Sequence, residues 1–103
     1  MTDVSELIKN EISENDIVLF MKGDKRMPCC GFSATVVNIL QKMNVEFKTV
    51  NVLLDDEVRE GIKRFSDWPT IPQLYVKGEF IGGCDIIQEL YKSGQLQKII
   101  AQS

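Results

Sequence analysis

The stretch that decides the fold is residues 17–37, IVLFMKGDKRMPCCGFSATVV. Its first five residues, Ile17–Met21, are all apolar, which is typical of a strand buried on both faces of a sheet. Residues 23–28 then form a polar loop that ends in proline. A helix follows the loop, because apolar residues recur there at helical spacing: Val36, Val37, Leu40 and Met43. The stretch therefore predicts a strand, a loop and a helix, with a pair of cysteines just before the helix begins.

The remaining elements follow from the same two periodicities. Ahead of the stretch, Asp3 and Glu6 form an N-cap pair for a first helix. After it, the pattern predicts a strand over 46–52, a helix from 55, a rigid turn at 68–72, a hairpin of strands 73–76 and 79–81, and two helices, the first with Asp85 and Gln88 as its N-cap pair. This order predicts an α/β fold with a four-stranded mixed sheet and helices on both faces. The thioredoxin-like fold has this order, here with an extra N-terminal helix.

Composition and charge limit the classes of function. The 103 residues are enough for one domain, over 1–103, and 12 basic against 15 acidic residues give a net charge of −3. That balance argues against a protein that binds nucleic acid through a basic surface. The sequence contains no histidine, so it has neither a His-activated nucleophile nor a His metal ligand. Its chemistry must come from cysteine, carboxylate, lysine, arginine or tyrosine side chains.

The same sequence features bear on membrane and compartment. The longest apolar run is the five residues Ile17–Met21, whereas a bilayer span needs ~20, so no membrane association is expected. The acidic N-terminal residues resemble neither a signal peptide nor a transit peptide. Three cysteines, two of them adjacent, argue against a secreted disulfide framework. We therefore expect a cytoplasmic protein, or one from an equivalent reducing compartment.

Cys30 is the first candidate for chemistry. It stands just before a helix, where free backbone N–H groups and the positive end of the helix dipole stabilise a thiolate. Lys22, Lys25 and Arg26 add positive charge from the preceding loop. The thiolate is the reactive form of cysteine and the form that binds metals. The alternative interpretation is that Cys30 serves only as a small buried hydrophobic residue, since free cysteine is often buried. Its position at a strand–loop–helix junction favours the reactive thiol.

The motif Cys30-Gly31-Phe32-Ser33 resembles the active-site motif of the monothiol glutaredoxins. Three further segments are similar in the same order and spacing: Phe20-Met21-Lys22-Gly23, Trp68-Pro69-Thr70-Ile71-Pro72 and Gly82-Gly83-Cys84-Asp85. The resemblance runs from the first helix to about Leu96. It implies that Cys30 is the working thiol and that Ser33 replaces the second cysteine of the dithiol relatives. With serine there, a mixed disulfide must be resolved by an outside thiol, which in this family is glutathione. Ser33 also has a simpler interpretation, as a capping hydroxyl in the first helical turn.

The resemblance implies a glutathione site made of Lys22, Arg59, Lys63, Ile71, Cys84 and Asp85. Arg59 and Lys63 share a helix face, so both can reach one anion, although a plain solvated face is the alternative. In this family the peptide bond before Pro72 is cis, which turns the backbone of Ile71 toward an extended peptide. Cys84 and Asp85 open a helix whose N–H groups can receive a carboxylate, and Asp85 can also be simply an N-cap. Trp68 is interpreted as a packing residue.

The resemblance also implies a [2Fe–2S] cluster, carried between two subunits and passed to apoproteins. Such a cluster takes four thiolates, and Cys30 is the one well-placed thiol in each chain. Two chains and two glutathione molecules then supply the four ligands, which predicts a cluster-bridged homodimer. A simple zinc site is disfavoured, because Cys29, Cys30 and Cys84 give at most three ligands. Cys29 departs from the family pattern; a spectator is the favoured interpretation over an accessory thiol or a competing ligand.

Two other functions remain open at this point. One is a glutathione-dependent thiol–disulfide oxidoreductase, and the other is a binding module for a BolA-type regulatory partner. The inserted loop at residues 23–27 is typical of the cluster-binding class, which has weak reductase activity. We therefore expect cluster transfer, with its part in iron homeostasis, and at most weak activity as an enzyme.

Overall fold

The computed structural model describes residues 3–101, so residues 1, 2, 102 and 103 of the predicted domain lie outside the described part; that these 103 residues form one domain stays a prediction. Its elements alternate in the predicted order: α1 Val4–Glu14, β1 Ile17–Met21, α2 Gly31–Lys42, β2 Lys48–Asn51, α3 Asp56–Ser66, β3 Gln73–Val76, β4 Glu79–Gly82, α4 Cys84–Lys92 and α5 Gln95–Ala101. A short 3-10 turn, Val52–Leu54, follows β2 and was not predicted.

The four strands form one mixed sheet in the order β2-β1-β3-β4. β1 and β2 are parallel, and the other two pairs are antiparallel. The hairpin between β3 and β4 turns at Lys77 and Gly78, whose φ angles are 51° and 84°. Two positive φ angles in a two-residue loop match the twist of the flanking strands. The four-stranded mixed sheet and the position of its hairpin turn are therefore as the sequence predicted.

The sheet separates two apolar cores. Leu19 and Met21 of β1 point to a core closed by α2, α4 and α5, while Val18 and Phe20 point to one closed by α1 and α3. All five residues of β1 are buried, as expected for a central strand covered on both faces. Each large apolar side chain buried in this way contributes about 1.5–3 kcal/mol. The buried strand fixes the position of the loop that follows it, which carries the cysteines.

Several boundaries differ from the sequence expectation: α3 begins at Asp56 rather than at residue 55, and β4 ends at Gly82 rather than at residue 81. β2 spans Lys48–Asn51 rather than 46–52, and at its C-terminal end the Asn51 side chain accepts a hydrogen bond from the Leu53 backbone N–H at 3.0 Å, where the 3-10 turn begins. The N-cap of α4 is Gly83, not Asp85, which lies in the first turn of the helix. The predicted Asp85–Gln88 cap pair is therefore wrong, and the carboxylate of Asp85 does not serve as the N-cap. None of the helices within residues 3–101 is long and apolar enough to cross a membrane.

Candidate functional site

One cavity of about 430 Å³ opens where β1 ends and where α2 and α4 begin. α3 and the loop 68–72 form its other walls. The structure brings together around it all seven residues singled out from the sequence: Lys22, Cys30, Arg59, Lys63, Ile71, Cys84 and Asp85. These residues come from five separate segments of the chain, so the fold rather than local sequence assembles them.

Cys30 is the N-cap residue of α2, in extended backbone conformation, and its side chain is partly exposed at the cavity. The pKa of the Cys30 thiol is lowered, chiefly because the Ser33 backbone N–H bonds the thiolate. The Phe32 N–H, the charge of Lys22 and the Ser33 hydroxyl act in the same direction, while partial burial opposes them. These are the helix N-terminal donors and the nearby cation that the sequence predicted. The thiolate form is therefore favoured relative to an ordinary cysteine.

Ser33 is fully buried beneath the thiol. Its Oγ accepts a hydrogen bond from the Lys22 backbone N–H, which lies outside the helix, at 3.2 Å. The simple capping role considered for Ser33 is therefore wrong. The hydroxyl instead joins the end of β1 to the first turn of α2, which fixes Lys22 relative to Cys30.

Of the three basic residues in the loop, Lys22 is the one whose charge lowers the Cys30 pKa. Lys25 is engaged elsewhere: its Nζ donates to the Phe47 backbone carbonyl at 2.8 Å and lies 4.6 Å from the centre of the Phe47 ring. The expectation that Lys25 supports the thiolate is therefore wrong. Arg26 is exposed, and its backbone N–H donates to the Asp24 carboxylate in a tight turn.

Arg59 and Lys63 lie one turn apart on α3 and both line the cavity. Lys63 Nζ also forms an ion pair with Glu60, at 3.4 Å. Arg59 Nε is buried and has no hydrogen-bond partner within residues 3–101. Because a buried N–H without an acceptor costs free energy, Arg59 has bonding capacity left for an anion in the cavity. A plain solvated face accounts for the Lys63–Glu60 pair but not for the buried Nε of Arg59.

The loop 68–72 forms the wall opposite the N-terminus of α2. Its Ile71–Pro72 bond is cis, as the resemblance implied, and Ile71 is buried. Trp68 packs against Phe80, with ring centroids 5.8 Å apart, so the packing interpretation has support in the contacts. Trp68 also lines the cavity, and its Nε1 is buried with no partner in the described chain.

Three sulfur atoms differ in their environments. The pKa of the Cys84 thiol is raised, first by burial, then by the charges of Asp85 and of the Cys30 thiolate. Cys29 is exposed, and its Sγ donates to the Met27 carbonyl at 3.6 Å. In the part of the chain that the structure describes, no group of three or more Cys, Asp or Glu side chains is arranged to hold a metal ion. Of the two cysteines that line the cavity, Cys30 has a lowered pKa and Cys84 a raised one.

Sequence reasoning missed two amide side chains that shape the walls. Asn51 Oδ1 accepts from the Gly23 backbone N–H at 3.0 Å and so pins the loop that follows Lys22. Gln73 is fully buried and donates to two carbonyls of the loop 68–72. Gln73 carried a usable signal, since a glutamine directly after a proline and inside an apolar strand needs a buried partner. Asn51 carried none, because its partner lies 28 residues away.

The sequence is similar to those of known proteins over most of its length. A family model described as glutaredoxin matches residues 17–81. "Probable monothiol glutaredoxin 2" of Rickettsia conorii is 61% identical over 95 residues, which are 92% of this chain and 89% of that protein.

Solved structures show the same fold. The solution structure of reduced poplar apo GrxS14 has a TM-score of 0.83 and 50% sequence identity, covering 92% of this chain and 87% of that one. A buckwheat glutaredoxin solved in complex with glutathione has a TM-score of 0.84 at 20% identity, covering 94% of this chain and 86% of that one, and shares the fold. The predicted thioredoxin-like fold is thereby confirmed. On the family match and the relatives' identity together, this chain belongs to the glutaredoxin family, in its monothiol group.

Proposed function

We propose that this monothiol glutaredoxin binds glutathione in the cavity beside Cys30 and carries a [2Fe–2S] cluster between two copies of the chain for delivery to apoproteins. The observation that carries the proposal is the Cys30 thiol, whose pKa is lowered at a helix N-terminus on the edge of a cavity of about 430 Å³. A thiolate that is both stabilised and accessible can act as a ligand.

The charges around the cavity suit glutathione, which carries two carboxylates and one ammonium group. Lys22, Arg59 and Lys63 supply positive charge, and the N-terminus of α4 offers backbone N–H groups to an anion. Asp85, exposed in the first turn of α4, offers a carboxylate to the ammonium. The Arg59 Nε without a partner is consistent with an anion on that side.

The ligand count supports a cluster that needs thiols from outside the chain. A [2Fe–2S] cluster takes four thiolate ligands. Residues 3–101 contain no cluster of three donor side chains that could hold a metal ion, and the Cys30 thiol at the cavity has a lowered pKa. The residues present therefore fit one ligand per chain, and glutathione bound next to Cys30 would bring the second. A cluster with half of its ligands exchangeable suits transfer to apoproteins.

Calorimetric titration with glutathione tests the binding site. In Arg59→Ala and in Asp85→Ala, the loss of one charge-assisted hydrogen bond should weaken binding by about 1.5–3 kcal/mol, which is roughly 10- to 150-fold in Kd. The matched controls are Arg64→Ala on α3 and Glu89→Ala on α4, exposed residues of the same charge that do not line the cavity. Equal affinity in all four variants would remove Arg59 and Asp85 from the site.

Anaerobic reconstitution with iron, sulfide and glutathione tests the cluster. We expect a coloured dimer by absorption spectroscopy and size-exclusion chromatography, and its loss in Cys30→Ser. Cys29→Ser is the matched control, because Cys29 is exposed and does not line the cavity, and it should retain the cluster. A colourless monomer from the wild-type chain, or a cluster that persists in Cys30→Ser, would overturn the proposal.

The low pKa of Cys30 also favours a second function, glutathione-dependent disulfide reduction. The Cys30 thiolate would attack the glutathione sulfur of a mixed disulfide, which releases the protein thiolate and leaves glutathione on Cys30. A glutathione thiolate would then attack that bond, giving oxidised glutathione and free Cys30. Ser33 cannot act as the resolving thiol, so we expect slow turnover. Turnover as fast as that of a dithiol glutaredoxin, and lost in Cys30→Ser, would put this function first.

A BolA-type partner and a cytoplasmic location stay predictions. The family resemblance supports the partner, and the acidic N-terminal residues and the three cysteines, two of them adjacent, support the location. Copurification of a BolA-type protein with the glutathione-loaded wild-type chain, and not with Cys30→Ser, would test the first.

A further inference from the structure

Gln73 is a fully buried polar side chain at the start of β3, and it does not line the cavity. Its Nε2 donates to the backbone carbonyls of Trp68, at 3.2 Å, and Thr70, at 3.1 Å. The Tyr75 hydroxyl donates to Gln73 Oε1 at 3.4 Å. One amide group thus links two carbonyls of the cavity wall to the core of the domain.

The loop 68–72 has little other support for its backbone shape. At its start, the Trp68 N–H donates to Ser66 Oγ and to the Lys63 carbonyl, both at 3.1 Å. Beyond Trp68, the described contacts to this loop's backbone carbonyls come from Gln73. An apolar side chain of the same size would fill the space equally well but would leave both carbonyls without these donors, at a free-energy cost. The amide therefore serves the loop rather than the core.

The hydroxyl that supports Gln73 stays protonated. Burial raises the pKa of Tyr75 to about 12, an effect that a hydrogen bond with Ser66 partly opposes. Tyr75 is also fixed by neighbouring rings, with centroids 5.7 Å from Phe20 and 5.5 Å from Phe80. The O–H therefore remains a donor at neutral pH and orients the amide so that its N–H groups face the loop.

We propose that Gln73 is a positioning residue for ligand binding: it holds the backbone of residues 68–70 in the shape that the cavity wall needs, without touching the ligand. The proposal rests on the proposed glutathione site, because Thr70 and Ile71 form part of that wall. It assigns a role in affinity to a side chain outside the cavity. Its consequence is specific: loss of the amide should weaken glutathione binding and leave the Cys30 thiolate unaffected.

The experiment uses Gln73→Met, which keeps the side-chain length and removes both N–H donors. We expect the Kd for glutathione in calorimetry to rise about tenfold, equivalent to about 1.4 kcal/mol. The pH profile of Cys30 alkylation should match the wild-type profile. Trp68 is the sole tryptophan of the chain, so its emission spectrum reports directly on the loop and should shift in this variant.

Two further variants separate positioning from general destabilisation. Val76→Ala lies on the same strand but removes volume from the opposite core, so it lowers stability without touching the loop. It should leave the Kd and the Trp68 emission unchanged. Tyr75→Phe retains the ring and both Gln73 donors, and should weaken binding in the same direction by only about two- to threefold. This variant keeps the test available if Gln73→Met does not fold.

Each outcome decides for or against the proposal. Wild-type affinity in both Gln73→Met and Tyr75→Phe overturns it, and so does an equal loss of affinity in Val76→Ala at equal stability. If the wild-type chain binds no glutathione, the proposed function fails, and the positioning role is then judged by fluorescence alone. In that case an unchanged Trp68 emission in Gln73→Met overturns the positioning role as well.

Discussion

Ser33 and Lys22 show how single residues set the reactivity of Cys30. Ser33 contributes its backbone N–H, the largest cause of the lowered Cys30 pKa, and its hydroxyl also accepts from the Lys22 N–H at 3.2 Å. Lys22 contributes its charge. Ser33, which stands in place of a second, resolving cysteine, thus also helps to stabilise the Cys30 thiolate. Loss of the second cysteine therefore leaves a thiol that is still activated.

Lys22→Met should shift the pH profile of Cys30 alkylation by iodoacetamide to higher pH. The thiolate reacts, so the rate rises as pH rises through the Cys30 pKa, and removing the cation raises that pKa toward its ordinary value. At neutral pH the rate should fall a few-fold. Lys25→Met is the matched control, because Phe47 holds that ammonium group, and its profile should be unchanged. An equal shift in the two variants would mean that the pKa of Cys30 depends on the total positive charge nearby and not on Lys22 in particular.

The residues of this cavity that could be predicted from the sequence are those whose chemistry follows from the residue type and its place along the chain. A cysteine before a helix and a lysine at the end of a buried strand are visible as such. Hydrogen-bond partners that lie far apart in the sequence cannot be identified in this way. The engagement of Lys25 by Phe47, 22 residues away, could not be predicted, and it removed a cation from the expected site. The role of Gln73 in shaping the site was missed for a related reason. Gln73 contacts the backbone carbonyls of Trp68 and Thr70, and a contact to backbone atoms leaves no mark on the sequence.

At the scale of elements, the order of helices and strands was predictable and their ends were not. Apolar residues that recur with a period of two residues mark the strands, and those that recur with a period of 3.6 residues mark the helices. The apolar faces predicted in this way are the ones buried in the two cores. Ends depend on contacts that form only in the folded chain. α4 begins at Cys84 with Gly83 as its N-cap, and Gly83 packs closely there, with Trp68 Nε1 only 3.2 Å from the position of a Cβ on Gly83. A cap motif in the sequence cannot report such a contact.

Gly82→Ala tests how closely α4 approaches the sheet. Gly82 has a φ of 149°, and a Cβ there would lie 2.8 Å from the Ile86 Cβ, so the new methyl group must displace the first turn of α4. We expect a loss of about 1–3 kcal/mol in the free energy of unfolding, measured by urea denaturation. Glutathione affinity should fall too, because Cys84 and Asp85 belong to that turn.

Gly31→Ala is the control for this substitution. Gly31 opens α2, and a Cβ there has no neighbour within 4 Å among the described atoms. Alanine at that position should leave stability unchanged or raise it by about 0.4–1 kcal/mol. A Gly82→Ala protein as stable as Gly31→Ala would show that α4 can move away at no cost.

For the whole molecule, the cavity joins parts that pack on opposite faces of the sheet. α3 belongs to one core, with α1, whereas α2 and α4 belong to the other. Arg59 reaches the cavity from the layer of helices α1 and α3. Cys30 and Asp85 reach it from the layer of α2 and α4, on the other face of the sheet. A ligand that contacts all three would connect the two layers across the end of β1. Binding is then coupled to global unfolding, because separation of either layer destroys the site.

Glutathione should accordingly raise the midpoint of thermal unfolding. A ligand that binds only the folded state adds about 2.7 kcal/mol at 100 times its Kd. For a domain of this size, that corresponds to about 10–20 °C, measured by differential scanning calorimetry. Arg59→Ala should show a clearly smaller rise at the same glutathione concentration, and Arg64→Ala should match the wild type, since Arg64 does not line the cavity. Equimolar glutamate, cysteine and glycine, unlinked, should give no rise, because separate amino acids cannot connect the two layers. A rise with the unlinked amino acids, or an undiminished one in Arg59→Ala, would contradict a site that spans both cores.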